Sequence, residues 1–364
     1  MNRVAGILRV KNDGPFIHDS IESCIDALDE LIVVYNDCTD NSAEEIEKMA
    51  KKYPDKIRVY EYPYEVRAFG LNRKEFEEIK TWPENNPHLL SSYCNFALSK
   101  VTADYVLKID ADQIYFTKKL KDWCDFVRNC QHIPMTTKVV AGKIFSYWVS
   151  AYLIFSRKIG IRLPVLPVWL LKFAYSAYLS YAKWAFSHDE ACLSMSGVNV
   201  FETDKTLISM AHTHPDGVDV MPTPFNGVGD HLIVKMSDKV FFRKFKQDEF
   251  NSDKGNTFCI IEEFIHPYRR LVHVGFFWKH IRTMRPTDKD MVLKAYKLDP
   301  QSYLDIESFK KLSYRQILKH AHKNIFLPIN RILFGFVYKA NKDDLFNSLE
   351  HEGLGGAIKK QSKA

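Results

Sequence analysis

The sequence predicts an α/β fold: a mainly parallel central sheet with helices on both faces, followed by a helical C-terminal extension. Three observations lead there. Short apolar runs alternate with amphipathic runs over residues 4–112, the pattern of right-handed strand–helix–strand crossovers. The apolar run Tyr105-Val106-Leu107-Lys108-Ile109 ends in Asp110-Ala111-Asp112, so a buried strand delivers two carboxylates. The composition, 46% hydrophobic and 26% charged over 364 residues, is that of a folded chain with length for a large core.

Val4 to Leu8 is the first expected strand, ending in the polar group Arg9-Val10-Lys11-Asn12-Asp13-Gly14. Pro15 then opens a helix from Phe16 to Leu28, with Ile17, Ile21, Cys24, Ile25 and Leu28 on one face. Leu31 to Tyr35 is a second buried strand. It breaks into the turn-and-cap cluster Asn36-Asp37-Cys38-Thr39-Asp40-Asn41-Ser42, before a helix from Ala43 to Lys52 and a strand from Lys56 to Tyr62. Tyr64 to Pro87, charged and aromatic with two prolines at 83 and 87, reads as an inserted loop or short helix near the site. A helix from Ser91 to Ser99 precedes the strand from Thr102 to Asp112.

On that strand Asp110 and Asp112 are two residues apart, so they are expected to leave on one face past its end. Open α/β sheets bind ligands at the carboxyl ends of their strands. Two hard oxygen donors there suit Mg²⁺ or Mn²⁺ holding a diphosphate. Asp288-Lys289-Asp290 has the same spacing, but it follows Arg285-Pro286-Thr287 and opens a helix pattern, so capping accounts for it.

Residues 3–112 resemble the nucleotide-sugar-binding half of a GT-A fold glycosyltransferase, Rossmann-like, of the bacterial family 2 type. The resemblance rests on Arg9-Val10-Lys11-Asn12-Asp13 after the first strand and Val33 to Ser42 after the second. Its third part is Asn95-Phe96-Ala97-Leu98 followed by Asp104 to Asp112. It implies donor contacts at Arg9, Asn12 and Asp37, with Asp37 accepting from the base or ribose. It further implies that Asp110 meets the ribose or a metal-bound water and that Asp112 binds the metal. The chemistry agrees, since a carboxylate accepts well from a uracil N–H or ribose hydroxyls. A plain turn or cap is the competing account of Asp37.

The second half is aromatic from Ile144 to Phe186, interrupted by Arg157, Lys158, Arg162, Lys172 and Lys183. No run reaches the roughly 20 apolar residues of a spanning helix. Two accounts stand: a membrane-interface segment, or ordinary core with an aromatic acceptor cleft. His212-Thr213-His214 and Asp230-His231 fit no compact zinc motif. Gly229-Asp230-His231 precedes an expected apolar helix, where a capping role is the plain account; the resemblance makes Asp230 the base that deprotonates the acceptor hydroxyl. Within Leu271 to Arg282 the resemblance places a metal-binding histidine, His273 first and His280 second, against a core histidine as the plain account. Lys279, Arg282 and Arg285 are candidates to neutralise the departing diphosphate, or a solvated basic face.

The net charge of +6 favours anionic partners, but no run resembles a nucleic-acid arm, so phosphates or anionic lipid are expected and nucleic acid is not. Seven scattered cysteines without a C-x-x-C pair indicate reduced thiols in the cytoplasm, and the N-terminal residues carry no secretory pattern. The expected division is residues 1–140 for the nucleotide sugar, 141–287 for acceptor and catalysis, and 288–364 as a basic helical tail suited to a membrane surface or a partner. The activity that the resemblance implies is metal-dependent, inverting transfer of a sugar from a nucleoside diphosphate, UDP foremost, to a cell-surface glycan or lipid-linked saccharide. A sugar-nucleotide nucleotidyltransferase is a rival, disfavoured because Arg9 to Pro15 holds a single glycine and no phosphate loop. A non-catalytic membrane-surface binding protein on the same fold is the other.

Overall fold

The computed structural model describes residues 1–158, 168–202, 205–210, 224–245, 258–268, 270–281, 284, 303–313, 316–317 and 328–351. The first half runs β1 (Val4–Val10), α1 (Gly14–Cys24), β2 (Glu30–Tyr35), α2 (Ser42–Lys52), β3 (Ile57–Glu61), α3 (Arg73–Thr81), α4 (Leu90–Leu98), β4 (Tyr105–Asp110), β5 (Gln113–Tyr115) and α5 (Thr117–Arg128). A helical pair follows, α6 (Thr137–Lys158) and α7 (Val168–Ser187). Then come β6 (Ala191–Glu202), β7 (Thr206–Ser209), β8 (Phe225–Lys235), β9 (Phe241–Lys244), β10 (Glu262–Ile265), β11 (Arg270–His280) and β12 (Tyr303–Asp305). The helices α8 (Ile306–Lys311) and α9 (Pro328–His351) close the chain.

The central sheet has the order β12-β7-β6-β8-β4-β1-β2-β3, with β11 beside β6 and β5 beside β11. Strands β3, β2, β1 and β4 are mutually parallel, as the alternating pattern requires. β8 runs antiparallel to β4, with Val106 opposite Val234, and so joins the two halves in one continuous sheet. The core lies against both faces. On α1, Phe16, Ile17, Ile21 and Cys24 are buried, each of the larger ones stabilising by about 1.5–3 kcal/mol. Lys108 is a charged exception within β4 and reaches Glu262 at 3.7 Å.

One expectation differs from the structure. Gly229-Asp230-His231 does not open a helix: it lies in β8, whose apolar run Leu232-Ile233-Val234 includes the β-branched Ile233 and Val234 and pairs with β4 and β6. Between Tyr64 and Pro87 the chain forms α3, whose start is fixed by a capping box of Asn72 and Glu75. α3 packs Phe76 and Ile79 with Leu71, Leu89, Phe258 and Ile260 into a small separate core.

The aromatic segment divides between two environments. Tyr175, Tyr178, Tyr181, Trp184 and Phe186 are buried, whereas Ile144, Tyr147 and Phe173 are exposed. Among the described residues, no helix is long and apolar enough to cross a membrane. All seven cysteines are free thiols.

Candidate active site

The carboxyl ends of β1, β2 and β4 converge, and their loops supply the first part of the site. Asn12 and Asp37 both sit in the left-handed region, at φ 57° and 45°, a conformation short polar side chains tolerate. The Asn12 Oδ1 accepts from the Thr39 backbone N–H at 2.7 Å, so it ties the loop after β1 to the turn after β2. The Asp37 carboxylate is 59% exposed with Lys11 Nζ at 3.2 Å, which leaves acceptor capacity open to solvent.

Asp110 and Asp112 do not leave on one face of a strand. Asp110 is the last residue of β4, and the chain turns at Ala111-Asp112 before β5, so the two-residue period lapses between them. The Asp110 Oδ2 lies 3.0 Å from His231 Nε2 and accepts from Gln113 Nε2 at 3.3 Å; its Oδ1 meets Arg9 Nη2 at 3.5 Å. Burial alone would raise this carboxyl, but Lys108, His231 and Arg9 outweigh it and hold it well below the usual carboxylate range. Asp110 is therefore a carboxylate wherever the protein is folded near neutral pH.

Asp112 is buried and its Oδ1 lies 3.3 Å from His280 Nε2. Backbone pairing makes that approach obligatory: His280 is opposite Gln113 in the β11–β5 ladder, and the Ile281 N–H donates to the Asp112 carbonyl at 2.9 Å. On its other side the His280 Nδ1 lies 2.5 Å from Asn199 Oδ1. With Nδ1–H donating to that oxygen, Nε2 turns its lone pair toward the Asp112 carboxylate. Two acceptors facing each other need a proton or a cation between them. A histidine anchored through one nitrogen, beside a carboxylate, is also the usual preparation of a metal ligand. Among the described residues no group of three or more His, Cys, Asp or Glu is placed to hold a metal ion.

His273 is elsewhere. It precedes His280 by seven residues of β11, roughly 20 Å along an extended strand. It is buried, with Nε2 2.7 Å from Ser196 Oγ, and burial together with Lys119 pushes its pKa down to about 3. It is a core histidine, and the second-choice His280 is the one beside Asp112. Lys279 is also displaced from its expected place. Its neighbours alternate across β11, so it points away from His280, and its buried Nζ pairs with Glu202 at 3.4 Å instead of facing a diphosphate.

Arg9 is not an open donor contact. Its guanidinium is 12% exposed and donates to Glu262 at 2.8 Å and to Cys94 Sγ at 2.8 Å while reaching Asp110. Arg282, Arg285, the His212-Thr213-His214 loop and Asp288-Lys289-Asp290 lie outside the described residues. Asp230 belongs to β8 by its backbone, and its side chain is outside the described set.

Sequence reasoning missed three participants. Gln113 sits between Asp110, His231 and Tyr115, accepting from the Tyr115 hydroxyl at 2.5 Å, and its only signal was adjacency to Asp112. His231 packs against Trp278, centroids 4.7 Å apart and rings tilted by 45°, with its Nε2 on Asp110. Glu262 comes from a hairpin 150 residues away from Asp110 in sequence, where no local pattern marks it. Trp278 in turn depends on Gly197, since a Cβ there would lie 2.0 Å from its indole nitrogen.

Residues 1–154 match the family of beta-1,4-N-acetylgalactosaminyltransferases (CgtA). That stretch holds the loops of Asn12 and Asp37 and both carboxylates after β4. No curated protein matches the chain. Among solved structures, Mycobacterium tuberculosis glucosyl-3-phosphoglycerate synthase is similar at 20% identity, over 31% of this chain and 35% of that one, with a TM-score of 0.21. A structure of the same enzyme with Mn²⁺, uridine diphosphate and glucosyl-3-phosphoglycerate matches at 19% identity, 31% and 34% coverage and a TM-score of 0.20. The matched region is about a third of that enzyme's length. The half of the chain that builds the carboxylate site is thus similar to a glycosyltransferase family.

Proposed function

We propose that this protein is a metal-dependent, inverting glycosyltransferase that takes a sugar from a nucleoside diphosphate, UDP foremost. It would deliver the sugar to a hydroxyl of a cell-surface glycan or lipid-linked saccharide at the inner face of the cytoplasmic membrane. The observation that carries the reading is the Asp112–His280 pair, 3.3 Å apart with the imidazole anchored on Asn199, beside an Asp110 held ionised.

Asp112 and His280 would hold Mn²⁺ or Mg²⁺, the carboxylate being the hard oxygen donor that both ions favour. Such an ion neutralises the diphosphate as it departs. The protein's own groups do the rest. Asp37, exposed at the rim, accepts from the base or ribose, and Asp110, locked by Arg9, His231 and Gln113, receives ribose hydroxyls or a bound water. Asn12 holds the two loops in register. Arg282, next in the chain after Ile281, is assigned to the diphosphate. Asp230, adjacent to His231, is assigned as base. The division into a donor part over residues 1–140, an acceptor part over 141–287 and a tail over 288–364 follows the same assignment.

The test is release of UDP from a panel of UDP-sugars, with Mn²⁺ or with chelator, on wild-type protein and on Asp112→Ala and Asp230→Asn. The reading expects metal-dependent release that Asp112→Ala abolishes, and acceptor-dependent transfer that Asp230→Asn abolishes while UDP still binds. Release indifferent to metal and to Asp112 would refute it.

A further inference from the structure

From Phe126 to His188 the chain contains eight Lys or Arg and no Asp or Glu, although 45 acidic residues are spread over the rest. Most of this stretch is the α6–α7 pair. The two helices pack so closely that a Cβ on Gly142 would lie 2.0 Å from the Ala177 carbonyl oxygen, so they form one unit. Along α6, Val140, Ile144 and Tyr147 recur at helical spacing and are 41%, 64% and 48% exposed; on α7, Phe173 is 68% exposed. Buried residues of α7 (Tyr178, Tyr181, Ala182) anchor the pair to the core and the Tyr147 ring takes the Arg270 guanidinium at 4.3 Å, which leaves Val140, Ile144 and Phe173 as the outward apolar groups.

Basic side chains flank them. Lys138 is exposed on the first turn of α6. Lys143 and Lys183 lay their stems over Trp184 and Trp123, with nitrogens 4.9 and 5.3 Å from the ring centroids. Lys172 is half-exposed, and its partner Asp343 belongs to α9. An apolar stripe between snorkelling lysines, on two helices that carry no acidic residue of their own and meet Asp122 and Asp343 only at their edges, is complementary to a surface that is apolar within and anionic at its headgroups.

We propose that the α6–α7 pair is the element by which this protein docks onto an anionic phospholipid bilayer, lying at the interface without crossing it. The proposal deepens the membrane-surface acceptor suggested above and rests on it for the purpose of docking. Exposed apolar groups enter the headgroup boundary while the lysines meet lipid phosphates.

The full-length chain is sedimented with vesicles of phosphatidylcholine alone and of phosphatidylcholine mixed with phosphatidylglycerol. Wild-type protein is expected to co-sediment with the anionic vesicles and to be released by high salt. The Ile144→Ser, Phe173→Ser double variant is expected to lose about tenfold or more in vesicle affinity, since both groups leave the lipid. Lys138→Glu weakens binding further. UDP binding, unchanged in both variants, shows that they fold. Failure of the wild type to bind, equal binding to neutral vesicles, or equal binding by the double variant overturns the proposal. A concentration-dependent dimer that the double variant abolishes overturns it too, in favour of a second copy of the chain. Loss of UDP binding by the wild type would sink the transferase reading and leave vesicle binding untouched, so the two failures are distinguishable.

Discussion

Replacing His273 by Gln separates the two histidines that compete for the metal role. In the folded protein His273 is buried with a pKa of about 3, against 6.5 when it is free in the unfolded chain. The folded pKa is depressed, so the unfolded state binds the extra proton first. Stability from this residue is complete above the unfolded pKa and falls as pH drops from there toward the folded value. At about pH 5 the unfolded chain is protonated there and the folded protein is not. The loss relative to neutral pH is about 2 kcal/mol, from roughly one and a half pKa units at 1.36 kcal/mol each. His273→Gln cannot titrate, and its amide can still meet Ser196 Oγ. Urea unfolding at neutral pH and at about pH 5 is the assay, with the variant losing about 2 kcal/mol less on acidification than the wild type. Manganese-dependent UDP binding should be unchanged by this substitution. An unaltered pH slope, or loss of metal-dependent binding, would refute the assignment of His273 to the core.

Asp37→Asn should weaken UDP binding by about tenfold, the range for a lost charged hydrogen bond, without changing unfolding, because the carboxylate is largely exposed and its ion pair with Lys11 is a surface one. Gly197→Ala should destabilise by about 1–3 kcal/mol by pushing the Trp278 indole off its seat, and tryptophan fluorescence should report the move. Arg9→Ala should cost about 3 kcal/mol, because Glu262 then keeps only Lys108 near it in a buried setting, and UDP binding should fall as Asp110 loses one of its restraints.

The parallel half of the fold was legible because its signals are local. The apolar runs Val4–Leu8, Leu31–Tyr35 and Val106–Ile109 and the turn cluster after Tyr35 each carry their own pattern. What depends on pairing between distant strands was not legible. His273 and His280 look alike in sequence, and only the β11–β5 register brings the second beside Asp112. Lys279 read as a free cation because nothing local announces Glu202. The Asp230-His231 stretch read as a helix start because Gly and Asp are turn formers, yet the run after it is completed as a strand by β4 on one side and β6 on the other. Glu262 reaches Arg9 and Lys108 from a hairpin far along the chain, a relation that exists only in the folded molecule.

The most direct test of the central claim is calorimetric titration of UDP into the protein with and without Mn²⁺, repeated on Asp112→Ala and on His280→Gln. The account predicts binding by the wild type that requires Mn²⁺, its abolition in Asp112→Ala and a marked weakening in His280→Gln. Binding that ignores Mn²⁺ and survives both substitutions would contradict it.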